Sequence, residues 1–365
     1  MRAQLLVRAL RNAGAQVDVL TTSDAGRDFF SAFGIDAQVL SRHYAVQFDE
    51  RQNMLRRETD RNVAQYVFWP PHMLRDMMRL SPVFRRADLV INDSFHPALL
   101  FMGALPWWRR KVMHIYGSSL KDALLRNFAG RLPRLLARSF GRIVSWQLDA
   151  ALCCVEHDFA CEVTENSHPR RYRLPTPVPV VSNRLESDTT YAAIYLNPHF
   201  RNVALADALC TGIHGAGLDT YRVGEGYAAH DGWIGVDPDW VTRAAYAQLI
   251  VSAPGMAALS IALIYQRPIL LVLTDQPEQI ANARQAVQLN LTHRIVEWRG
   301  DADVFQRQVG QAAVELLRDA GMVLSVNAGR ECARARIDAW TTRILALCTP
   351  VPVLAGDPVR QAPTS

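Results

Sequence analysis

Cysteine is scarce in this chain: six residues in 365, at 153, 154, 161, 210, 332 and 348, with no Cys-x-x-Cys pair and no regular spacing. A chain of this length needs no disulfide staples, so a disulfide scaffold is not expected and a reducing, cytoplasmic setting fits. Long apolar runs are missing too. No stretch reaches the ~18 to 20 apolar residues that a bilayer-spanning helix requires, because Asp93 and His96 break one candidate and Gln266, Arg267 and Pro268 break the other. Met1 to Gly14 is amphipathic and carries three arginines, but it has neither a continuous apolar core nor a small-residue cleavage site, so it is expected to be part of the fold. There is no helix-turn-helix, zinc-finger or RNP-like pattern, and the aromatics do not interleave with the basic residues, so nucleic acid is not expected as a partner. Metal-ligand spacing is absent as well. Asp-x-Asp occurs at Asp237/Asp239 and Asp301/Asp303, each in a polar turn before a helix, where an aspartate serves helix entry; no metal is expected.

What is present is material for two cores. The length exceeds the roughly 100 to 200 residues of one domain, and the 49% apolar and 21% charged fractions are those of a globular protein. A net charge of +5 favours anionic partners such as nucleotide phosphates or acidic headgroups. Apolar β-rich runs alternate with helical patterns, as parallel sheets with crossover helices do. In the first half the pattern predicts helices at 5–13 and 27–33, strands at 17–21 and 37–40, a helical region over 49–79, and strands at 89–92 and 112–116. In the second half it predicts strands at 191–196, 220–223, 249–252 and 269–273, with helices at 256–265, 279–289 and 304–320.

Between the halves, Pro169, Pro175, Pro177 and Pro179 precede a polar stretch from Ser182 to Thr190, which reads as a linker. The expected organisation is therefore a first domain over 1–175, a linker over 176–190, a second domain over 191–347, and a proline-rich disordered tail over 348–365. The first domain starts directly on a helix. It lacks the opening strand and glycine-rich turn of a Rossmann unit, and that strand is normally central in its sheet; a start assigned too far downstream, or a diverged N-terminus, is the expectation.

The most informative segment is residues 249–273, a buried strand, a tight turn at Pro254-Gly255, a helix opening at Met256, and a second buried strand led by Pro268. A glycine at such a handover lets main-chain amides approach a phosphate at a helix N-terminus. Thr274-Asp-Gln-Pro-Glu-Gln-Ile-Ala-Asn-Ala then opens the next helix at the same sheet edge. This combination of Gly255, Pro268, Glu278, Gln279, Asn282 and Ala283 resembles the GT-B glycosyltransferases, in particular the branch of the peptidoglycan N-acetylglucosaminyltransferase. Leu89-Val-Ile-Asn-Asp-Ser-Phe-His-Pro is similar to the turn that lines the acceptor cleft in such proteins, and Arg2-Ala3 look like the residues that follow their glycine-rich loop. The resemblance implies two Rossmann-like domains facing across a cleft, with the first strand of the N-terminal domain missing. It also implies a nucleotide-sugar donor, of the UDP type, and a donor-sugar contact from Glu278 and Gln279. Two departures accompany it: the family's ribose-gripping glutamate falls at Ile261, and the loop that supplies a catalytic histidine is absent.

Sugar transfer from a nucleoside diphosphate needs a base near the acceptor hydroxyl and positive potential near the leaving phosphate. Asp93, His96 and His114 are the candidate bases, although a capping Asp93 and a packed His114 are the alternative readings. Ser252, Pro254, Gly255 and Met256 would meet the diphosphate, joined by Asn197, His199 and Arg201 from the loop after the first strand of the second domain. Arg222 and Gly224 resemble the segment beside the nucleotide base. The expected activity is transfer of a hexose or amino sugar to an unknown, lipid-linked acceptor. The alternatives are a nucleotide-sugar 2-epimerase or a degenerate, non-catalytic binder. Trp107, Trp108, Arg109, Arg110 and Lys111, with the arginine-rich stretch 126–142, suit contact with anionic lipid at the inner face of a membrane; a solvated basic face accounts for them equally.

Overall fold

The computed structural model describes residues 2–40, 70–93, 96–117, 134–159, 164–165, 170–182, 190–197, 200–274, 277–319 and 326–348. The first half runs α1 (Arg2–Asn12), β1 (Val19–Thr21), α2 (Asp24–Ala32), β2 (Ala37–Val39), α3 (Pro70–Arg86), β3 (Val90–Asp93), α4 (Pro97–Ala104), a 3₁₀ turn (Arg109–Lys111), β4 (Val112–Gly117), α5 (Arg134–Ala150), β5 (Cys153–Asp158), β6 (Thr164–Glu165) and β7 (Arg171–Pro175). The second half runs β8 (Tyr191–Tyr195), α6 (Val203–Gly215), β9 (Asp219–Val223), β10 (Trp233–Ile234), α7 (Trp240–Tyr246), β11 (Leu249–Ser252), α8 (Met256–Tyr265), β12 (Ile269–Leu273), α9 (Pro277–Gln288), β13 (His293–Glu297), α10 (Ala302–Asp319) and α11 (Val326–Cys348).

The second lobe is a six-stranded parallel sheet in the order β10-β9-β8-β11-β12-β13, covered by helices on both faces. Every residue of β11 and β12 is buried, which is why these strands read as uninterrupted apolar runs. α8 is apolar nearly all round because it lies between that sheet and neighbouring helices, and it stops at Gln266, whose left-handed φ of 50° turns the chain into Arg267-Pro268. Ile261 is fully buried in this core.

The first lobe has a five-stranded sheet in the order β3-β4-β5-β7-β6, parallel except for β6, and a separate parallel pair β1-β2. Among the described residues β1 and β3 share no ladder, so the pair β1-β2 stands apart from the five-stranded sheet. Val19, Leu20, Val90 and Ile91 are only partly buried, whereas all of β4 is buried. The helical region expected over 49–79 is seen from residue 70 onward; 49–69 lie outside the described residues. Residues 171–175, at the end of the expected first domain and not read as a strand, form β7, held in register against β5 from Cys154↔Arg171 to Asp158↔Pro175. Proline is tolerated there because β6 pairs with β7 only at Tyr172 and Arg173, so Pro175 lies beyond the reach of that ladder.

The C-terminal helix α11 joins the two lobes. Cys332 packs against the second lobe's core, while Trp340 and Ile344 lie in the first lobe's core with Leu6, Leu10, Ile115 and Val155. Its polar groups take up the carbonyls of the connecting segment. Arg330 Nε donates to Val181 O at 2.8 Å, Arg336 donates to Thr176 O at 2.9 Å and Phe159 O at 3.0 Å, and Trp340 Nε1 donates to Pro175 O at 2.7 Å. Tyr265 at the end of α8 adds a bond to Pro179 O at 2.8 Å. Among the described residues no helix is long and apolar enough to cross a membrane.

Candidate active site

β11 ends at Ser252, and Ala253-Pro254-Gly255 turns the chain into α8 at the carboxyl edge of the second sheet. No side chain caps this helix, and its first-turn amides have no acceptor inside the helix. Gly255 has a φ of −88°, so its backbone does not require glycine. Among the described residues a Cβ built on it meets nothing within 4 Å, so on that side the turn is open. Bare donors, the positive end of the helix dipole and an empty approach make this end suited to an anion.

Across the gap stands the carboxyl edge of the first sheet. A Cβ on Gly117, at the end of β4, would lie 2.6 Å from Met256 Sδ and 3.3 Å from His157 Nε2. A side chain at 117 would have to displace the tip of Met256, the first residue of α8, and this contact marks where the two lobes meet. His157 ends the buried part of β5; its Nδ1 lies 3.0 Å from Thr176 Oγ1, and burial pushes its pKa well down, with the positive charge of Arg2 adding to the effect. Asp93, at the end of β3, is paired with Arg2 at the start of α1.

On the donor side, Gln279 in α9 is buried. The backbone N–H of Thr274 donates to its Oε1 at 2.9 Å, which fixes the amide so that Nε2 is the remaining donor. Among the described residues neither Gln279 Nε2 nor Asn282 Oδ1, both buried, has a partner, leaving one donor and one acceptor unspent on the same helix. Buried polar groups without partners are costly, and a ligand is one way to satisfy them.

No family model matches the sequence, and no curated protein matches it. Solved structures do. The calicheamicin glycosyltransferase CalG4 superposes with a TM-score of 0.58 at 15% identity, over 96% of this chain and 95% of that one. The spinosyn forosaminyltransferase SpnP gives 0.58 at 12%, over 95% of each. UGT89C1 of Arabidopsis thaliana, complexed with UDP-L-rhamnose, gives 0.55 at 13%, over 95% of each. The chain has the GT-B fold. Identities this low carry the architecture alone, and the finer placement beside the peptidoglycan enzyme is not among these likenesses.

In the GT-B frame Ser252, Pro254, Gly255, Met256, Gln279 and Asn282 gather at the carboxyl edge of the second sheet, at β11 and α8 and on the helix after β12. Glu278 belongs to α9 by its backbone. Asn197 and Arg201 lie in the loop after β8, which packs on the turn after β9: a Cβ on Gly226 would stand 2.2 Å from Phe200 O. His199 lies outside the described residues. Gly224 is confined between Leu196 O, Tyr227 and Trp233, so packing accounts for it. Arg222 is not brought to the set; it leans back along β9 to Thr220 Oγ1 at 2.7 Å and lies under Gly232. On the other lobe, His114 is sealed beneath α4, bonded through Nδ1 to Asn92 Nδ2 at 3.1 Å, and burial pushes its pKa down to about 3. That places it as a neutral packing residue. His96 precedes α4 and is buried; desolvation lowers its pKa and the nearby charge of Asp76 opposes the shift.

The first aspartate of each Asp-x-Asp pair has a local duty. Asp237 Oδ2 accepts from Tyr221 Oη at 2.7 Å and Asp301 Oδ1 accepts from the Val304 amide at 3.0 Å, at the entry to α10. Among the described residues no three His, Cys, Asp or Glu side chains come together as metal ligands. Sequence reasoning missed Arg2 and His157 as groups at the crevice. The signal for His157 was an apolar pair, Cys154-Val155, running into Glu-His-Asp, a buried strand that ends in polar chemistry.

Proposed function

We propose that this chain is a glycosyltransferase that moves a hexose or amino sugar from a UDP-type donor, held by the second lobe, to an acceptor held by the first. The observation that carries this reading is the open Gly255 turn, which directs the uncapped N-terminus of α8 at the first lobe's sheet edge. The leaving diphosphate would take its charge stabilisation from the α8 amides, so no metal need be invoked. Gln279 Nε2 and Asn282 Oδ1 would satisfy donor-sugar hydroxyls, and enclosure between the lobes would keep water from the reacting bond. Because Ile261 is apolar and buried, the ribose must find its acceptors elsewhere. That UGT89C1 is solved with UDP-L-rhamnose supports the choice of nucleotide, and the resemblance at Glu278, Gln279 and Asn282 supports an amino sugar.

A panel of sugar nucleotides screened by thermal shift, followed by assay of UDP release, tests the reading. Stabilisation by UDP-sugars and release that depends on added acceptor are expected. Donor conversion without acceptor would indicate an epimerase, and shifts without turnover a binding protein. Gln279→Ala should weaken a UDP-sugar about 10-fold relative to UDP itself, the worth of one buried hydrogen bond; equal losses for both would remove Gln279 from the sugar site.

Contact with the inner face of a membrane is part of the same proposal. Trp107 is 79% exposed beside the exposed Arg109 and Arg110, whereas Lys111 is committed to Phe84 O at 2.9 Å and Ala87 O at 2.7 Å. Binding to anionic vesicles should be strong at low salt and fade as screening grows, and Trp107→Ser should reduce it. Equal binding to neutral vesicles would remove the electrostatic part of the proposal.

A further inference from the structure

The hydrogen bonds around His157 decide which of its nitrogens carries a proton. Thr176 Oγ1 donates to Asp158 O at 3.0 Å, and a hydroxyl has one proton to give. Toward His157 Nδ1, 3.0 Å away, the same oxygen can only accept. Nδ1 therefore carries the N–H, and in the neutral ring Nε2 holds the lone pair. Nε2 is also the atom 3.3 Å from the Cβ position of Gly117, the point that lies 2.6 Å from Met256 Sδ. The lone pair thus opens onto the junction between the first sheet and the N-terminus of α8. Trp340 flanks the ring, edge-on, with centroids 6.5 Å apart. Of the earlier candidates, Asp93 is committed to Arg2 and His114 to Asn92 beneath α4.

We propose that His157 is a catalytic residue, the general base that takes the acceptor hydroxyl proton on Nε2, with Thr176 as the positioning residue that sets its tautomer. The inference rests on the glycosyltransferase reading above. As the acceptor oxygen bonds to the anomeric carbon, its proton passes to Nε2 and the bond from that carbon to the phosphate oxygen breaks. The electron pair leaves on the nucleoside diphosphate, against the α8 amides, and the imidazolium later returns its proton to solvent. This is a single displacement, so the product is inverted at the anomeric carbon. Burial and the Arg2 charge keep the ring neutral while the crevice is empty. A bound diphosphate brings negative charge to the same junction and favours the imidazolium when it forms.

The test compares wild type with His157→Gln, His157→Ala, Thr176→Val and Thr176→Ser, measuring UDP release, donor affinity by titration, and thermal stability. His157→Gln should lower kcat about 100-fold, the usual contribution of a general base, with donor Kd within about twofold. Thr176→Val should lose about 10-fold in kcat, Thr176→Ser should keep wild-type turnover, and added imidazole should restore part of the activity of His157→Ala. Wild-type turnover in His157→Gln, or losses that follow stability with no imidazole rescue, would overturn the role of His157 while leaving the transferase reading intact. A wild-type chain that neither binds nor turns over any sugar nucleotide would overturn both.

Discussion

Gly255→Asp should leave the chain folded and abolish its response to sugar nucleotides. The substitution costs the fold little, because residue 255 has a φ of −88°, open to any L-residue, and a Cβ there meets no neighbour within 4 Å. Aspartate is moreover a preferred helix N-cap, so α8 should gain a modest stabilisation. For a ligand the effect is reversed. A carboxylate would occupy the main-chain donors intended for the diphosphate and set a like charge against it; two such charges ~4 Å apart repel by about 4 kcal/mol at an effective dielectric of ~20. Loss of that size corresponds to roughly a thousandfold in affinity. UDP-induced thermal shift and kcat/KM should both fall below detection, while the melting temperature without ligand stays equal to or above wild type. Gly255→Ala should sit between the two, since a methyl enters the approach without charge. If Gly255→Asp bound UDP-sugars normally, the anion would lie elsewhere and the proposed donor site would be wrong.

Trp340→Ala should produce the largest loss of stability. Trp340 is fully buried in the first lobe's core, among Leu6, Leu10 and Ile344, and its indole N–H donates to Pro175 O at 2.7 Å. Truncation leaves a cavity worth about 3–5 kcal/mol and strands a buried carbonyl worth about another 1 kcal/mol. Against a total of about 5–15 kcal/mol, that is a large share. Calorimetry should show a fall of roughly 10 °C and a single transition separating into two, because α11 is an element shared by both cores. Trp340→Phe, which keeps most of the volume, should lose about 1–2 kcal/mol. A shift under ~1 kcal/mol for the alanine variant would mean that α11 is not part of the first lobe's core.

The second lobe was legible where its strands are buried on both faces. Leu249–Ser252 and Ile269–Leu273 read as apolar runs, and the Pro254-Gly255 turn between β11 and α8 marks the carboxyl edge unaided. The elements that escaped notice hide their burial under polar letters. β7 is Arg-Tyr-Arg-Leu-Pro, and its arginines turn toward Asp149 and Glu156, so its pairing with β5 leaves no apolar signature. α11 lacks a clear apolar stripe because one of its most buried residues is Arg336, whose guanidinium serves the Thr176 and Phe159 carbonyls. The candidate bases were chosen from one strand-and-turn segment, Asp93 to His96, and from the strand after it. The tautomer of His157 is set by a threonine nineteen residues away, and no spacing rule couples the two.

The dependence of the first lobe on α11 also bears on the order of events during synthesis. Residues 2–175 leave the ribosome long before residues 326–348, yet the pocket bounded by Leu6, Leu10, Ile115 and Val155 is filled by Trp340 and Ile344. Translation runs at about 5–20 residues per second, so the half made first has a stretch of apolar wall facing water for several seconds or more. During that interval the exposed wall is open to misassociation, and its core is completed only when the C-terminal helix docks.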